Sequence, residues 1–582
     1  MYSLDLSRLA AIRLLDRSGL GLAELTVDRM DLFGLRAHDI SLHGGAIRVA
    51  DISFAYDPRR LVSGVVDQAE IAGLLVTMAA SGDGITVGGA PFHFATASGA
   101  ASPIGGLRIN AIRIVEGHVR FDQPSGLPEA TFSTDFALSG THIQNGSVTV
   151  ELTGPVFGAT QSIHIVAPEL SLSAPDGGGS RLVFGKVTIS SRDLPWMVDD
   201  FAGEILWRAD QLLATVGSSR VSHTHSPPSV VPLRLNGEAT MTGSQTDFTM
   251  HVVGEARGTK GKISVEATGR HDRALGIGGI SVTVPPVMFQ ADGVQPGDFF
   301  PAIGHVLPRL TGSVALSGAV KWLGDTVSPA LILRLADVAY ELEGARLSKI
   351  NGDIAFTGLW PVATAPGQVL NGIVEAGGLA PSHATLTFHL LPKPALSVES
   401  MRMDFAGGQI TASPFIIDPT RPGFETVIGL RQIDLGAVLS LISVDGLSGS
   451  GHVDGAIPLA VSSGKVVIRE GKLAASEPGV LQLRGDVLPK QIADAGESMT
   501  LALQALADFH YDTLAMTLAE RNTGDGSITL RLQGRNPAVL DGRAFNLNIT
   551  FESNLDRLIG LALRSMAVTR ELLRQTTGSM RQ

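Results

Sequence analysis

The chain has 582 residues, a formal net charge of -11, and no cysteine; it is 44% apolar but only 5% aromatic. No disulfide, thiolate metal site or cysteine nucleophile is possible, and the acidic balance argues against a nucleic-acid partner, which needs a basic surface. Its 68 glycines and 30 prolines supply turns and work against long helices. A chain without thiols fits an oxidising compartment such as the periplasm.

In chain order, residues 1–20 read as one short helix with Leu6, Leu9, Ala10 and Leu14 on its apolar side, ended by Gly19. Asp5, Arg8, Arg13, Asp16 and Arg17 interrupt any signal peptide, and no run of about 18 apolar residues predicts a membrane-spanning helix. That leaves a cytoplasmic product or a start downstream of a targeting segment. From Leu22 the texture changes to short alternating runs separated by Gly, Asp-Gly, Glu-Gly and Pro turns, for example Ile47–Tyr56, Ile109–Phe121, Leu182–Ser190, Lys262–Thr268 and Leu331–Leu342. Regular short strands with turn signals predict an all-β architecture.

Helical interruptions are expected at Leu194–Ala202, Gly297–Val306 and Leu435–Ile442. The last two precede strand openings that share Leu-x-Gly-x5-Gly, at Leu310 and Leu447; the same spacing starts at Leu138 and Leu235, as a repeat would. Glu116–Gly117, Glu343–Gly344 and Glu470–Gly471 read as ordinary hairpin turns. Ser222–Pro232 and Thr364–Gly367 read as loops, and no composition shift marks a linker. Uniform β texture suggests one elongated repeating object. The divisions expected are a helix over 1–20, β-rich parts over 21–300 and 301–553, and a helix and tail over 554–582.

The clearest alternation lies in Gly526–Ser553. Ile528, Leu530 and Leu532 alternate with Thr529, Arg531 and Gln533; after a turn over Gly534–Gly542, Phe545, Leu547, Ile549 and Phe551 alternate with polar residues. Each strand therefore has one apolar and one polar face. The following segment, Asn554–Arg574, has a helical period: Leu555, Leu558, Ile559, Leu563 and Met566 share a face, with Arg557 and Arg564 off it. Such a helix caps the last strand or meets an anionic membrane or partner.

Reactive patterns are scarce. No Gly-x-Ser-x-Gly elbow occurs, Gly258–Lys262 lacks the P-loop spacing, and Gly276, Gly278 and Gly279 precede no helix. His223 and His225 would share a strand face but sit beside Pro227–Pro228 without a third ligand. His38 and His43 read as surface residues, and Asp199–Asp200 as the polar side of the short helix. No catalytic residue, metal or cofactor is assigned. The apolar faces must then close a sandwich, close a barrel, or line a groove filled by something else.

In the C-terminal third, Val444–Pro458, Val467–Val480, Phe509–Leu514, Leu532–Pro537, Gly542–Asn548 and Asn554–Leu558 form an ordered set of stretches, with a less specific one over Asp39–Gly64. Together they resemble the YdbH-like branch of the AsmA-like bridge proteins, a family also labelled a dicarboxylate transport domain. The resemblance implies an elongated, twisted repeating β-groove: an open, curled antiparallel sheet with a few short helices and a C-terminal amphipathic helix. It implies phospholipid sliding through a periplasmic bridge between inner and outer membranes, an inner-membrane anchor that this sequence lacks before Leu22, and an outer-membrane lipoprotein adding a strand at the C-terminal edge. The lipid-lining candidates are Leu501, Leu503, Ile528, Leu530, Leu532, Phe545, Leu547, Ile549 and Phe551; the membrane or partner candidates are those of the C-terminal helix. An envelope assembly factor similar to the TamB branch, and a passive multi-domain scaffold or adhesin, are the other readings.

Overall fold

The structure, a computed structural model, describes residues 22–554 apart from 82–83, 92–107, 122–128, 140–141, 157–158, 175–178, 193, 209–210, 225–229, 257–260, 302–308, 325, 343–344, 360, 377–379, 393–394, 419–422, 443–445, 463–464, 484–496 and 523–524. The expected N-terminal helix, His225, Glu343–Gly344, and the C-terminal helix candidates Leu555, Arg557, Leu558, Ile559, Leu563, Arg564 and Met566 lie outside the described residues. Among the described residues no helix is long and apolar enough to cross a membrane.

The chain is mainly β, as its alternation predicts: an open, mostly antiparallel sheet with a few short helices. Its contacts define two units. The N-terminal unit comprises Met1–Arg257, Lys262–Val282 and Lys321–Val327, and the C-terminal unit Gly258–Gly261, Thr283–Val320 and Ser328–Gln582.

In the N-terminal unit successive strands pair antiparallel, from Leu22–Met30 with Gly34–Leu42 to Gln245–Glu255 with Lys262–Asp272. Two joints among the described residues differ: Gln68–Ser81 pairs parallel with Ala111–Phe121, and the short Val65–Val66 pairs parallel with Arg108–Ile109. Parallel neighbours need a crossover of a dozen residues or more, which the stretch 82–110 supplies. A small core of Ala37, Ile40 and Val49 packs under the first strands.

Many of these strands carry a bulge near their middle. Glu116, Lys186 and Asp200 have φ of 53°, 53° and 51°, each beside a shift in pairing register. The extra residue of a bulge bends the strand and raises its twist. It also re-phases the alternation. In Ala111–Phe121 the residues on one face are Ile112 and Ile114 before the bulge and Gly117 and Val119 after it, as their partners Phe136, Thr134, Phe132 and Ala130 show. Glu116–Gly117 is therefore a bulge inside a strand, not a hairpin turn. Likewise Glu470–Gly471 interrupts one strand line: Lys465–Ile468 and Gly471–Ala475 both pair with His452–Ser462.

The bulge at Asp199–Asp200 also corrects the expected helix over Leu194–Ala202. This segment opens the strand Trp196–Arg208, paired on both sides. The slip puts Val198 and Phe201 three residues apart on one face, a spacing that imitates a helix. Of Gly297–Val306, the start is helical, in Pro296–Phe299, and residues 302–306 lie outside the described residues. The Leu-x-Gly-x5-Gly spacing is not one structural unit. Gly243 makes a turn with φ of 55°, whereas a Cβ on Gly318 or Gly455 would strike the backbone of the adjacent strand, at Ala330 or Lys472.

Two cores of the C-terminal unit lie among the described residues. Phe388, Leu396, Val398 and Ile417 form the smaller. The larger is built from Phe405, from strands between Gly423 and Asn554 and from two helices, Leu435–Ile442 and Glu497–Leu506. The first helix is the one its sequence predicts. The Asp434 carboxylate accepts from the Ala437 N–H at 2.8 Å as its N-cap, and Leu435, Val438 and Leu439 are buried. The second helix ends on Asn536, whose amide donates to the Gln504 and Ala505 carbonyls at 2.9 and 3.1 Å and so satisfies acceptors the helix cannot. The Tyr511 hydroxyl donates to the Ser450 carbonyl at 2.7 Å; burial pushes its pKa up, with a smaller push from Glu477.

Candidate functional site

The hairpin of the sequence reading forms as expected. Asp525–Arg535 pairs with Ala544–Asn554, with Ile528 opposite Phe551, Leu530 opposite Ile549 and Leu532 opposite Leu547. Its apolar face, however, is filled by the chain itself. Ile528, Leu530 and Leu532 are 2%, 0% and 1% exposed, in the larger core with Leu435, Leu439, Leu506, Phe509 and Met516. Phe545, Leu547 and Ile549 are half-buried against the same core; the Phe551 side chain lies outside the described residues. Leu501 and Leu503 are on the helix Glu497–Leu506, about 200° apart around its axis, so they do not line one face together. Leu503 packs on the core. Ile528, Leu530, Leu532, Phe545, Leu547, Ile549 and Leu503 are thus packed on or in this core.

The N-terminal unit offers the opposite arrangement. The pairing register aligns three transverse rows on one face, from Ala111–Phe121 to Lys262–Asp272. One row runs Ile112, Phe136, Gly146, Leu170 and Phe184, then Gly203, Val216, Gly237, Met250 and Ala267. A second runs Gly117, Phe132, Val150, Ile165 and Ile189, then Val198, Val221, Leu233, Gly254 and Ile263. A third runs Leu138, Ile143, Leu172 and Leu182, then Ile205, Ala214, Ala239, Phe248 and Gly269. None of these positions is Asp, Glu, Lys or Arg. The rows cross about nine inter-strand spacings of ~4.8 Å, or ~43 Å before twist.

Most of these apolar side chains are only half-buried. Trp196–Arg208 and Leu233–Thr242 contain no buried residue at all. Their neighbours in the sheet flank them, and among the described residues of this unit no long helix packs on them as the two helices pack on the C-terminal core. Aromatic rings gather partway along the face: Phe184 stacks on Phe201 at 5.1 Å and Trp196 meets His223 edge-on at 4.9 Å.

Charge is confined to the opposite face. Arg113 pairs with Asp135 at 2.8 Å, Lys186 with Glu169 at 2.6 Å and Arg270 with Asp247 at 2.6 Å, and Arg181 pairs with Glu204. The Arg270 guanidinium, helped by Gln245, holds the Asp247 carboxyl below its ordinary value, and Glu169 raises the Lys186 ammonium. The pairs are exposed, so each adds little stability. They orient the sheet by keeping one face wet.

Of the histidines singled out earlier, His38 lies between Asp28 and Asp39 at 2.9 and 2.8 Å, Asp39 being the larger cause of its raised pKa, and His223 packs on Trp196. Asp199 and Asp200 both face Arg220 at 3.6 Å. No group of three or more His, Asp or Glu among the described residues is placed to hold a metal ion. The three rows were missed at the sequence level because each bulge switches the apolar face from even to odd positions within a strand. A search for alternation that permits one slip at a charged residue would have found the switch in Ala111–Phe121, Ser180–Ser191 and Trp196–Arg208.

Residues 105–574 match the YdbH-like family, described as "Intermembrane phospholipid transport protein YdbH". No curated protein and no solved structure matches the chain. The family match spans most of the sequence and includes both the open apolar rows and the filled C-terminal core, and the chain belongs to the YdbH-like family.

Proposed function

We propose that this protein carries phospholipids between the two membranes of the cell envelope by holding their acyl chains on the uncharged face of its N-terminal unit, without catalysis. The observation that carries this reading is the set of three rows, free of charge and only half-buried, in a chain whose family is described by intermembrane phospholipid transport. Moving a two-tailed lipid through water exposes about 30 methylenes at ~0.8 kcal/mol each, about 25 kcal/mol. A continuous apolar face removes most of that barrier and needs no reacting group. The face mixes aliphatic side chains with Phe rings and carries no charged group that would hold one lipid headgroup in place.

The family resemblance adds a periplasmic position and a lipoprotein strand partner to this reading. Among the described residues Ala544–Asn554 pairs only with Asp525–Arg535, and an open sheet edge is a template for an added strand. The test of the central reading is native mass spectrometry of purified protein. Bound phospholipid, displaced by a charge placed on the face such as Ile165→Lys, is the expected result. Lipid-free protein from a phospholipid-rich membrane preparation would contradict it, and would favour the scaffold or assembly-factor alternatives.

A further inference from the structure

Rings on the apolar face meet glycines on the neighbouring strand. Phe132 is directly opposite Gly117, Phe136 opposite Gly146, Phe184 opposite Gly203 and Phe248 opposite Gly269. In each pair the ring reaches across the glycine. A Cβ added to Gly117 would fall 2.6 Å from Phe132 Cζ and 2.8 Å from both Cε atoms; one on Gly146 would fall 2.5 Å from Phe136 Cδ1. Glycine inside a strand weakens it and marks a close approach, and a ring laid over a bare glycine restores the lost packing. Here the arrangement has a second consequence. A ring lying across the neighbouring strand does not stand up from the sheet. It contributes apolar area while leaving the space above the face clear.

We propose that these glycine–phenylalanine pairs set the clearance of the apolar face, and so determine whether an acyl chain fits on it. This rests on the lipid-carrying reading above. Two of the pairs separate clearance from folding. At Gly203 and Gly269 a Cβ would also strike backbone oxygens, those of Thr215 and Gly279, so substitution there disturbs the sheet itself. At Gly117 the nearest atoms are all from the far end of the Phe132 ring, and at Gly146 they are from Phe136 and the Ile143 side chain. Those side chains can swing, so alanine is accommodated by lifting the ring into the space above the face.

The test uses full-length protein loaded with phosphatidylethanolamine vesicles and read by native mass spectrometry, with thermal unfolding as the fold control. Gly117→Ala is expected to lose bound phospholipid at an unchanged unfolding midpoint, and Gly117→Ala/Phe132→Leu, which shrinks the lifted side chain, to regain it. Wild-type loading in Gly117→Ala, or loss that Phe132→Leu does not restore, overturns the proposal. Should Gly117→Ala not fold, Phe132→Trp over the native glycine replaces it, with loss of loading expected and unchanged loading contrary. Failure of the lipid-carrying reading is distinct: wild-type protein would then take up no phospholipid at all.

Discussion

The same alternation of apolar and polar residues meets two different fates in this molecule. In the C-terminal unit, the apolar faces of Phe509–Asn522 and Asp525–Arg535 close on two helices; Leu514, Met516, Leu530 and Leu532 are at most 2% exposed. In the N-terminal unit, the rows through Val150, Ile165, Val198 and Leu233 remain half-buried, with no long helix of that unit among the described residues. Alternation thus specifies which side of a strand is apolar, not what that side meets. The partner of the face is decided by whether the chain supplies a covering segment, and among the described residues the helices of eight residues or more, Leu435–Ile442 and Glu497–Leu506, belong to the C-terminal unit.

The largest difference between the units should come from burying a charge. Leu530→Arg places an unpaired cation in a closed core and is expected to unfold that core, seen as loss of its thermal transition. Leu530→Ala should cost about 2–5 kcal/mol. Ile165→Lys, on the open face, should change stability by less than about 1 kcal/mol, because the side chain can reach water, while displacing bound lipid. If Leu530→Arg folds as well as Ile165→Lys, the two faces are not different in kind. Asn536→Ala comes next. It leaves the Gln504 and Ala505 carbonyls without their side-chain donor and should destabilise the C-terminal unit by about 1–3 kcal/mol in denaturant titration, leaving phospholipid loading of the N-terminal face intact. Loss of loading in that variant would couple the units in a way the contrast does not allow.

The smallest effect is electrostatic. Asp247 and Asp353 have carboxyl pKa values held below normal, first of all by hydrogen bonds from Arg270 and Arg334. A carboxylate with a depressed folded pKa contributes stability above its unfolded value, and that contribution is lost as pH falls through the folded value. The unfolding midpoint should therefore fall slightly on acidification below about pH 4, and Arg270→Gln with Arg334→Gln should flatten that dependence. A midpoint that rises on acidification would contradict the assignment.

Much of the architecture was legible in the sequence. Ile47–Ala55, Lys262–Asp272 and the hairpin ending in Ala544–Asn554 follow directly from period-two alternation and turn residues, and Leu435–Ile442 from its unbroken apolar helical run. Two misreadings share one cause. Single charged residues at left-handed φ inside strands, such as Glu116, Lys186 and Asp200, shift the phase of alternation, so Glu116–Gly117 looks like a turn and Leu194–Ala202 like a helix. That several candidate lining residues are buried in a core was hidden for a different reason. Ile528, Leu530 and Leu532 have the cleanest pattern, but a clean pattern is what a fully covered core strand also shows. The Gly–Phe pairs were not visible because cross-strand partners depend on register, which bulges alter.

The most direct measurement is photocrosslinking from single positions in protein exposed to radiolabelled phospholipid. Crosslinkers at Ile165 and Val198 should label with lipid, and one at Leu530 should not. Labelling at Leu530 with none at Ile165 and Val198 would place the lipid path in the C-terminal hairpin and contradict the account.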